Sequence, residues 1–274
     1  MTAGVGVCSW SLQPASPRDL GDQVHAVDVG QVQIALDPIR SGDWSLEETR
    51  SVLADRGIVV RSGMMAMAGE DYLTLDSIRQ TGGLRSDRRW QENLKAAGEN
   101  ADVARAMGVD LVTFHAGFIP EDRGDPLRAL LVERLRSVAD AFAERGVRVG
   151  LETGQETAET LLDMLDELQR PTVGVNFDPA NMILYGMGDP IAALQKLASR
   201  VVQIHIKDAV SSSDPDSWGT EVPVGTGEVD WPRFFDVIGR LKIRADWMIE
   251  RESGTSRVAD IRKARTFIEP FLHE

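Results

Sequence analysis

The stretch VRVGLE, residues 147–152, is a run of strand-forming residues that closes on a carboxylate. Three later stretches repeat the pattern: VGVNFD (173–178) ends on Asp178, VVQIH (201–205) on His205 and WMIE (247–250) on Glu250. In a parallel α/β barrel the C-terminal ends of the strands converge on one face, so ligands far apart in sequence can meet around one ion. Glu152, Asp178, His205 and Glu250 form a mixed carboxylate–imidazole set. It suits Mn²⁺, Mg²⁺ or Co²⁺, and Zn²⁺ less distinctively. Each residue alone has a bland reading. Glu152 could meet a strand-end cation, Asp178 could serve Asp-Pro turn chemistry, and His205 could be a satisfied core residue. Glu250, followed by Arg251 and Glu252, could belong to a charged surface. Taken together, four strands ending on four ligands are hard to explain by packing, and they point to an enzyme rather than a binding module.

Outward from these four segments the chain alternates short apolar runs with longer amphipathic ones. Strands are expected at Val5–Ser9, Val32–Leu36, Ile58–Met65, Leu111–His115, Val147–Glu152, Val173–Asp178, Val201–His205 and Trp247–Glu250. Between them Asp125–Arg145 places Leu127, Leu130, Leu131, Leu135, Val138 and Phe142 on one helical face. Ser45-Leu46-Glu47-Glu48 matches a capping box opening a helix, and Gly57, Gly108 and Gly146 stand where helices should stop. Repeated strand–helix units require a parallel sheet, and eight of them favour closure into a single (β/α)8 TIM barrel. One domain is expected over residues 1–274, a length near the ~250 residues typical of such a barrel. Two irregular insertions, 66–89 and 209–230, would emerge on the catalytic face as substrate-shaping loops. In the second, turns are expected around Pro215, Pro223, Gly225 and Gly227, with Asp230 capping a helix that has Pro232 in its first turn.

The balance of charge narrows the partners. A net charge of −13 disfavours a nucleic-acid backbone or an anionic membrane, though it leaves room for a local basic pocket. No window approaches the ~18 apolar residues needed to cross a bilayer, and MTAGVGVCSW lacks the basic and apolar regions of a secretory signal. The single cysteine, Cys8, rules out an internal disulfide framework, fits a reducing cytoplasm and reads as a buried structural thiol. Neither a GxGxxG after the first strand nor a GxxxxGK[ST] occurs, so the usual nucleotide-cradling loops are missing.

LETG (151–154), NFDPAN (176–181), IHIKDA (204–209), VGTGEVDW (224–231) and MIERESG (248–254) together resemble the xylose-isomerase-like sugar (phosphate) isomerase/epimerase family. The resemblance runs from CSWSL in the first strand to the last helix and is most specific from the fifth strand onward. It implies that Glu152, Asp178, His205 and Glu250 hold one divalent cation, Mn²⁺ foremost, with Mg²⁺, Co²⁺ and Zn²⁺ as alternatives. It also implies that Glu152 and Glu250 move protons. The chemistry is coherent. A cation chelated by a carbonyl and its neighbouring hydroxyl acidifies the α C–H, and a carboxylate removes that proton to leave a metal-bound enediolate. Return of the proton to the opposite face is epimerisation, return to the adjacent carbon is isomerisation, and loss of a β-leaving group is elimination. The last defines the alternative of a dehydratase or lyase acting on a keto-sugar, inosose or 3-keto-glycoside.

Secondary candidates flank the same face. His115 ends the fourth strand and could contact substrate or a second metal, or simply pack in the core. Lys207, two residues after His205, could point inward with it. Asn181 stands where the epimerase branch of the family often has a histidine that touches substrate. Gln155 and Glu156 are candidate hydroxyl binders, Arg251 a candidate anion binder, and Trp10 and Trp218 candidate apolar walls. Met64, Met65 and Met67 read as core or rim filler. The expected partner is a small sugar or sugar derivative, and barrel enzymes often dimerise, so a homo-oligomer is open to test. An apurinic endonuclease shares the barrel, but its trinuclear zinc site needs more histidines than His25, His115, His205 and His273 provide.

Overall fold

The computed structural model describes residues 4–214 and 217–273. Its strands are β1 (Val5–Cys8), β2 (Gln31–Ala35), β3 (Val59–Met64), β4 (Leu111–Phe114), β5 (Arg148–Glu152), β6 (Val173–Phe177), β7 (Val201–Ile206), β8 (Asp208–Val210), β9 (Thr220–Val222) and β10 (Asp246–Ile249). Eight of them close a barrel in the order β1-β10-β7-β6-β5-β4-β3-β2, and every neighbouring pair is parallel. Closure follows from the connections, since helices return the chain to the same end before each new stave. All eight expected strands are present, with their ends displaced by about one residue. Ser9 opens a helix instead of ending β1, and β7 continues past His205 to Ile206.

The helix expected over 125–145 runs Pro126–Ala143, capped by the Asp125 carboxylate on Leu127 N–H. It seals the barrel wall with Leu131, Leu135, Val138 and Phe142, all buried, each such burial contributing ~1.5–3 kcal/mol. Leu127 and Leu130 are only half-buried, because Arg128 takes part of that face and reaches Glu167 at 2.6 Å. Gly57, Gly108 and Gly146 do end helices, with φ of +67°, +75° and +74°. The Ser45 cap forms, accepting from Glu48 N–H at 3.3 Å, but the reciprocal half of the expected box does not. The Glu48 carboxylate turns instead to Arg18, also at 3.3 Å.

Neither insertion on the catalytic face is fully irregular. Residues 66–89 contain a helix, Leu75–Thr81, opened by a complete capping box between Thr74 and Ser77. The stretch after β7 folds as an antiparallel hairpin, β8 with β9, and after β9 a turn is closed by Thr226 N–H on Pro223 O. Asp230 caps the next helix, Trp231–Leu241, with Pro232 in its first turn. Pro215 lies outside the described residues. Backbone contact seats the first insertion. A Cβ on Gly83 would lie 2.0 Å from Ala116 O and one on Gly117 2.3 Å from Gly82 O, so the loop packs flat against the end of β4 beside His115.

Candidate metal centre and active site

Four adjacent staves, β5, β6, β7 and β10, carry the four ligand candidates to one point. Glu152 ends β5, Asp178 follows β6, His205 lies near the end of β7 and Glu250 follows β10. One donor atom from each lies within 4.8 Å of all the others, and all four residues are buried. From His205 Nδ1 the distances are 3.4 Å to Glu152 Oε1, 3.7 Å to Asp178 Oδ2 and 3.5 Å to Glu250 Oε2. Donors that share a first-row cation at ~2.0–2.2 Å each must stand at about this separation.

Neighbouring groups fix which atom of Asp178 and His205 faces the centre and hold both oxygens of Glu152 and Glu250. Asp178 caps the helix Pro179–Tyr185, its Oδ1 accepting from Ala180 and Asn181 N–H, which leaves Oδ2 facing inward. His205 Nε2 lies 2.8 Å from Gln33 Oε1 and 3.0 Å from Asn176 Nδ2; with the amide oxygen as acceptor Nε2 carries its proton, and Nδ1 is the nitrogen turned to the centre. Glu152 accepts from Asn181 Nδ2 at 2.9 Å and Asn176 Nδ2 at 3.2 Å. Glu250 accepts from Trp10 Nε1 at 2.8 Å through Oε1 and pairs with Lys207 Nζ at 2.8 Å through Oε2.

The chain leaves two of these atoms without partners. His205 Nδ1 and Asp178 Oδ2 are both buried and neither has a hydrogen bond, a costly arrangement unless something else satisfies them. Two carboxylate ligands more and an aligned imidazole make a divalent cation the fitting occupant. The electrostatics agree. Burial works to raise Glu152 and Glu250, yet His115 and His205 override it at the first, and Lys207 and His205 at the second. Both therefore stay below the usual carboxylate range. Asp178 is raised, since burial outweighs the help of Lys207. Burial opposes charge on His205, but Cys8, Glu250 and Glu152 outweigh it and lift the imidazole well above its ordinary value.

Above the cluster opens a cavity of about 380 Å³ whose walls include Glu152, Glu250, His115, Asn181 and Lys207. His115 Nε2 stands 3.5 Å from Glu152 Oε1. Asn181 bridges the two halves of the site, donating to Glu152 and accepting from Lys207 at 3.2 Å. Lys207 points inward as strand alternation requires, whereas Asp208 turns away from it. The Asp208 carboxylate accepts from the N–H groups of Gly225, Gly227 and Val229 and from Trp231 Nε1, organising the hairpin loop. Met64, Met65 and Met67 line the wall, as does Trp218. Four candidates, Trp10, Gln155, Glu156 and Arg251, are not among the residues that line it. Trp10 lies behind Glu250. Gln155 is buried against Tyr185 OH at 3.4 Å, and Arg251 is held by Glu221 at 2.8 Å and Asp260 at 3.1 Å. Glu156 is buried, and desolvation with the nearby Glu152 charge pushes it up to about 8. Cys8 is buried 3.7 Å from His205 Nε2, and burial raises its thiol to about 12.

Several lining groups have no forewarning in the strand-end pattern. Glu70, Tyr72, Tyr185, Glu221 and Glu252 come from loops, a short helix and the three-residue strand β9, too short or irregular for a period to mark a direction. The floor beneath the metal cluster is equally unannounced. Gln33, Ser62, Thr113, Asn176 and Gln203, one polar residue on each of five staves, form a buried network in place of the usual apolar layer. Its signal is position: each polar residue stands one to three residues before the end of its strand.

Comparisons with known proteins agree with this architecture. Residues 22–271 match the family described as xylose isomerase-like TIM barrel. The xylose isomerase domain protein of Planctomyces limnophilus is 31% identical, with a TM-score of 0.86 over 91% of each chain. A xylose isomerase-like TIM barrel protein of Mycobacterium smegmatis, solved in complex with magnesium, is 18% identical (TM-score 0.76, 99% of this chain and 97% of that one). An L-ribulose 3-epimerase is 16% identical (TM-score 0.76, 99% and 95%). At those identities the likeness of the last two is one of fold alone. The 3-dehydroshikimate dehydratase of Pseudomonas aeruginosa is 24% identical over 208 residues, which is 74% of this chain and 30% of that protein, so this chain spans under a third of its length. With the barrel, the four staves and a match over most of its length, the chain belongs to the xylose isomerase-like TIM barrel family.

Proposed function

We propose that the protein is a divalent-metal-dependent enzyme that relocates a proton on the carbon beside a carbonyl, acting on a sugar or sugar derivative as an isomerase or epimerase. One observation carries the reading. Two unpartnered buried donors, His205 Nδ1 and Asp178 Oδ2, face two glutamates that also open onto a substrate-sized cavity. When bound by Glu152, Asp178, His205 and Glu250, a divalent cation supplies Lewis acidity that polarises a carbonyl. Glu152 is the favoured base, since it meets the cavity beside His115 and can pass its proton to that imidazole. Glu250 is held ionised by Lys207 and oriented by Trp10, which suits it to anchoring and to returning a proton through the Lys207 ammonium. Asn181 holds both sides in register.

Elimination is the second reading. The curated relative named as a dehydratase supports it, as does Lys207, an ammonium able to protonate a departing hydroxyl. The test is incubation of the manganese-loaded protein in ²H₂O with free, phosphorylated and glycosidic ketoses. Deuterium at the carbon beside the carbonyl supports isomerisation or epimerisation, and a dehydrated product supports elimination. Absence of both from every substrate, in protein shown to hold its metal, contradicts the proposal.

A further inference from the structure

We infer that this cavity is built for an uncharged polyhydroxylated ketone and rejects phosphorylated and carboxylated sugars, an inference that rests on the proton-transfer reading above. Its walls carry Glu70, Glu152, Glu221, Glu250 and Glu252, while Asp178 lies just beneath. Among the described lining residues there is no arginine, and Lys207 is the one lysine. That lysine is already shared by Glu250 at 2.8 Å and Glu252 at 2.6 Å. A divalent cation in the cluster and Arg251 behind Glu221 together still leave the region negative.

The groups that could otherwise welcome an anion are occupied by carboxylates of the chain itself. A phosphate is commonly cradled by successive glycine-rich backbone N–H groups or by a forked guanidinium. One glycine-rich loop, at Gly82 and Gly83, holds the wall residue Glu70, and a second, VGTGEV, follows the wall residue Glu221 in the chain; each already holds an internal anion. Gly83 N–H donates to Glu70 Oε1 at 2.8 Å. In the VGTGEV loop Gly225 and Gly227 donate to Asp208 Oδ2 at 2.9 and 3.1 Å, and Val229 to Oδ1 at 3.2 Å. Arg251, the nearby guanidinium, has its fork on Glu221 and Asp260. The outer wall is aromatic and uncharged: the Trp218 ring stacks with Tyr72 at 6.4 Å and tilts on Tyr185 at 5.4 Å. Such faces receive the C–H side of a sugar ring, and hydroxyls have the carboxylates and Asn181 as partners.

A pair of chelating enediolate mimics that differ only by a phosphate tests this: glycolohydroxamate and phosphoglycolohydroxamate, titrated calorimetrically into the manganese-loaded protein. The neutral-tailed ligand should bind on the order of 100-fold more tightly, as expected for a dianion brought among unscreened carboxylates. Added salt should narrow the gap, and Glu252→Gln should reduce it to about 10-fold. Equal affinity, or preference for the phosphorylated ligand, overturns the inference while leaving the proton-transfer reading standing. Binding of neither by metal-loaded protein overturns that reading and the inference with it.

Discussion

Lys207 Nζ lies 2.8 Å from Glu250 Oε2 with both side chains buried, so one carboxylate of the four-residue cluster is tied to an internal cation. Burial opposes charge on Lys207, yet Glu250, Glu252 and Asp178 hold its pKa well above the usual lysine value. The ammonium thus partly neutralises the centre before any metal arrives. Removing one partner of a buried pair costs on the order of 3–5 kcal/mol, because the other is left uncompensated. Lys207→Met should therefore lower the Tm of the metal-free protein. It should also tighten Mn²⁺ binding and enlarge the rise in Tm that Mn²⁺ produces. Thermal unfolding with and without Mn²⁺ checks this, and an unchanged rise would separate Lys207 from the centre.

Gln33 is placed to act on the proposed metal site through His205. Its Oε1 accepts from His205 Nε2 at 2.8 Å, while its amide donates to Thr113 Oγ1 at 2.7 Å. That pair of bonds selects the tautomer with a free Nδ1. Gln33→Met, close in volume, should weaken Mn²⁺ binding by ~10–100-fold, the usual scale for losing an outer hydrogen bond to a ligating histidine. Calorimetric titration is the check, and wild-type affinity in the variant would remove Gln33 from this role.

The β-strand pattern makes the barrel and the four-residue cluster legible, because side-chain direction along a strand follows from alternation. It puts Glu152, Asp178, His205 and Glu250 at strand ends and Lys207 inward with His205. Direction is not encoded that way in loops. Trp10 and Arg251 fell beside the right strands but behind the site, one orienting Glu250 and the other holding Glu221. Glu70 and Tyr72 reach the cavity only because Gly83 and Gly117 let two loops touch, a tertiary contact with no local period. The Thr74–Ser77 box lacks the glutamate or glutamine that marks a helix start in sequence, and turn residues between its short strands hide the β8–β9 hairpin.

Glu156 links stability to pH. Burial, with Glu152 adding to it, lifts its pKa from 4.5 to about 8 in the folded chain. The native state therefore keeps a proton that the unfolded chain releases, and stability declines as pH rises from about 4.5 towards 8. Glutamine mimics the protonated acid and cannot ionise. Glu156→Gln should thus match the wild type at pH 5 and exceed its Tm by several degrees at pH 8, measured with the metal chelated. Equal Tm values at both pH values would show that Glu156 is not held protonated.

The central claim is that Glu152, Asp178, His205 and Glu250 hold one divalent cation, and Mn²⁺ titration followed by elemental analysis tests it most directly. The account predicts one ion per chain in the wild type, and at least ~100-fold weaker binding in His205→Ala, since the loss removes the only imidazole of the set. A wild-type protein that takes up no divalent metal, or a folded His205→Ala variant that binds it as tightly, would contradict the account.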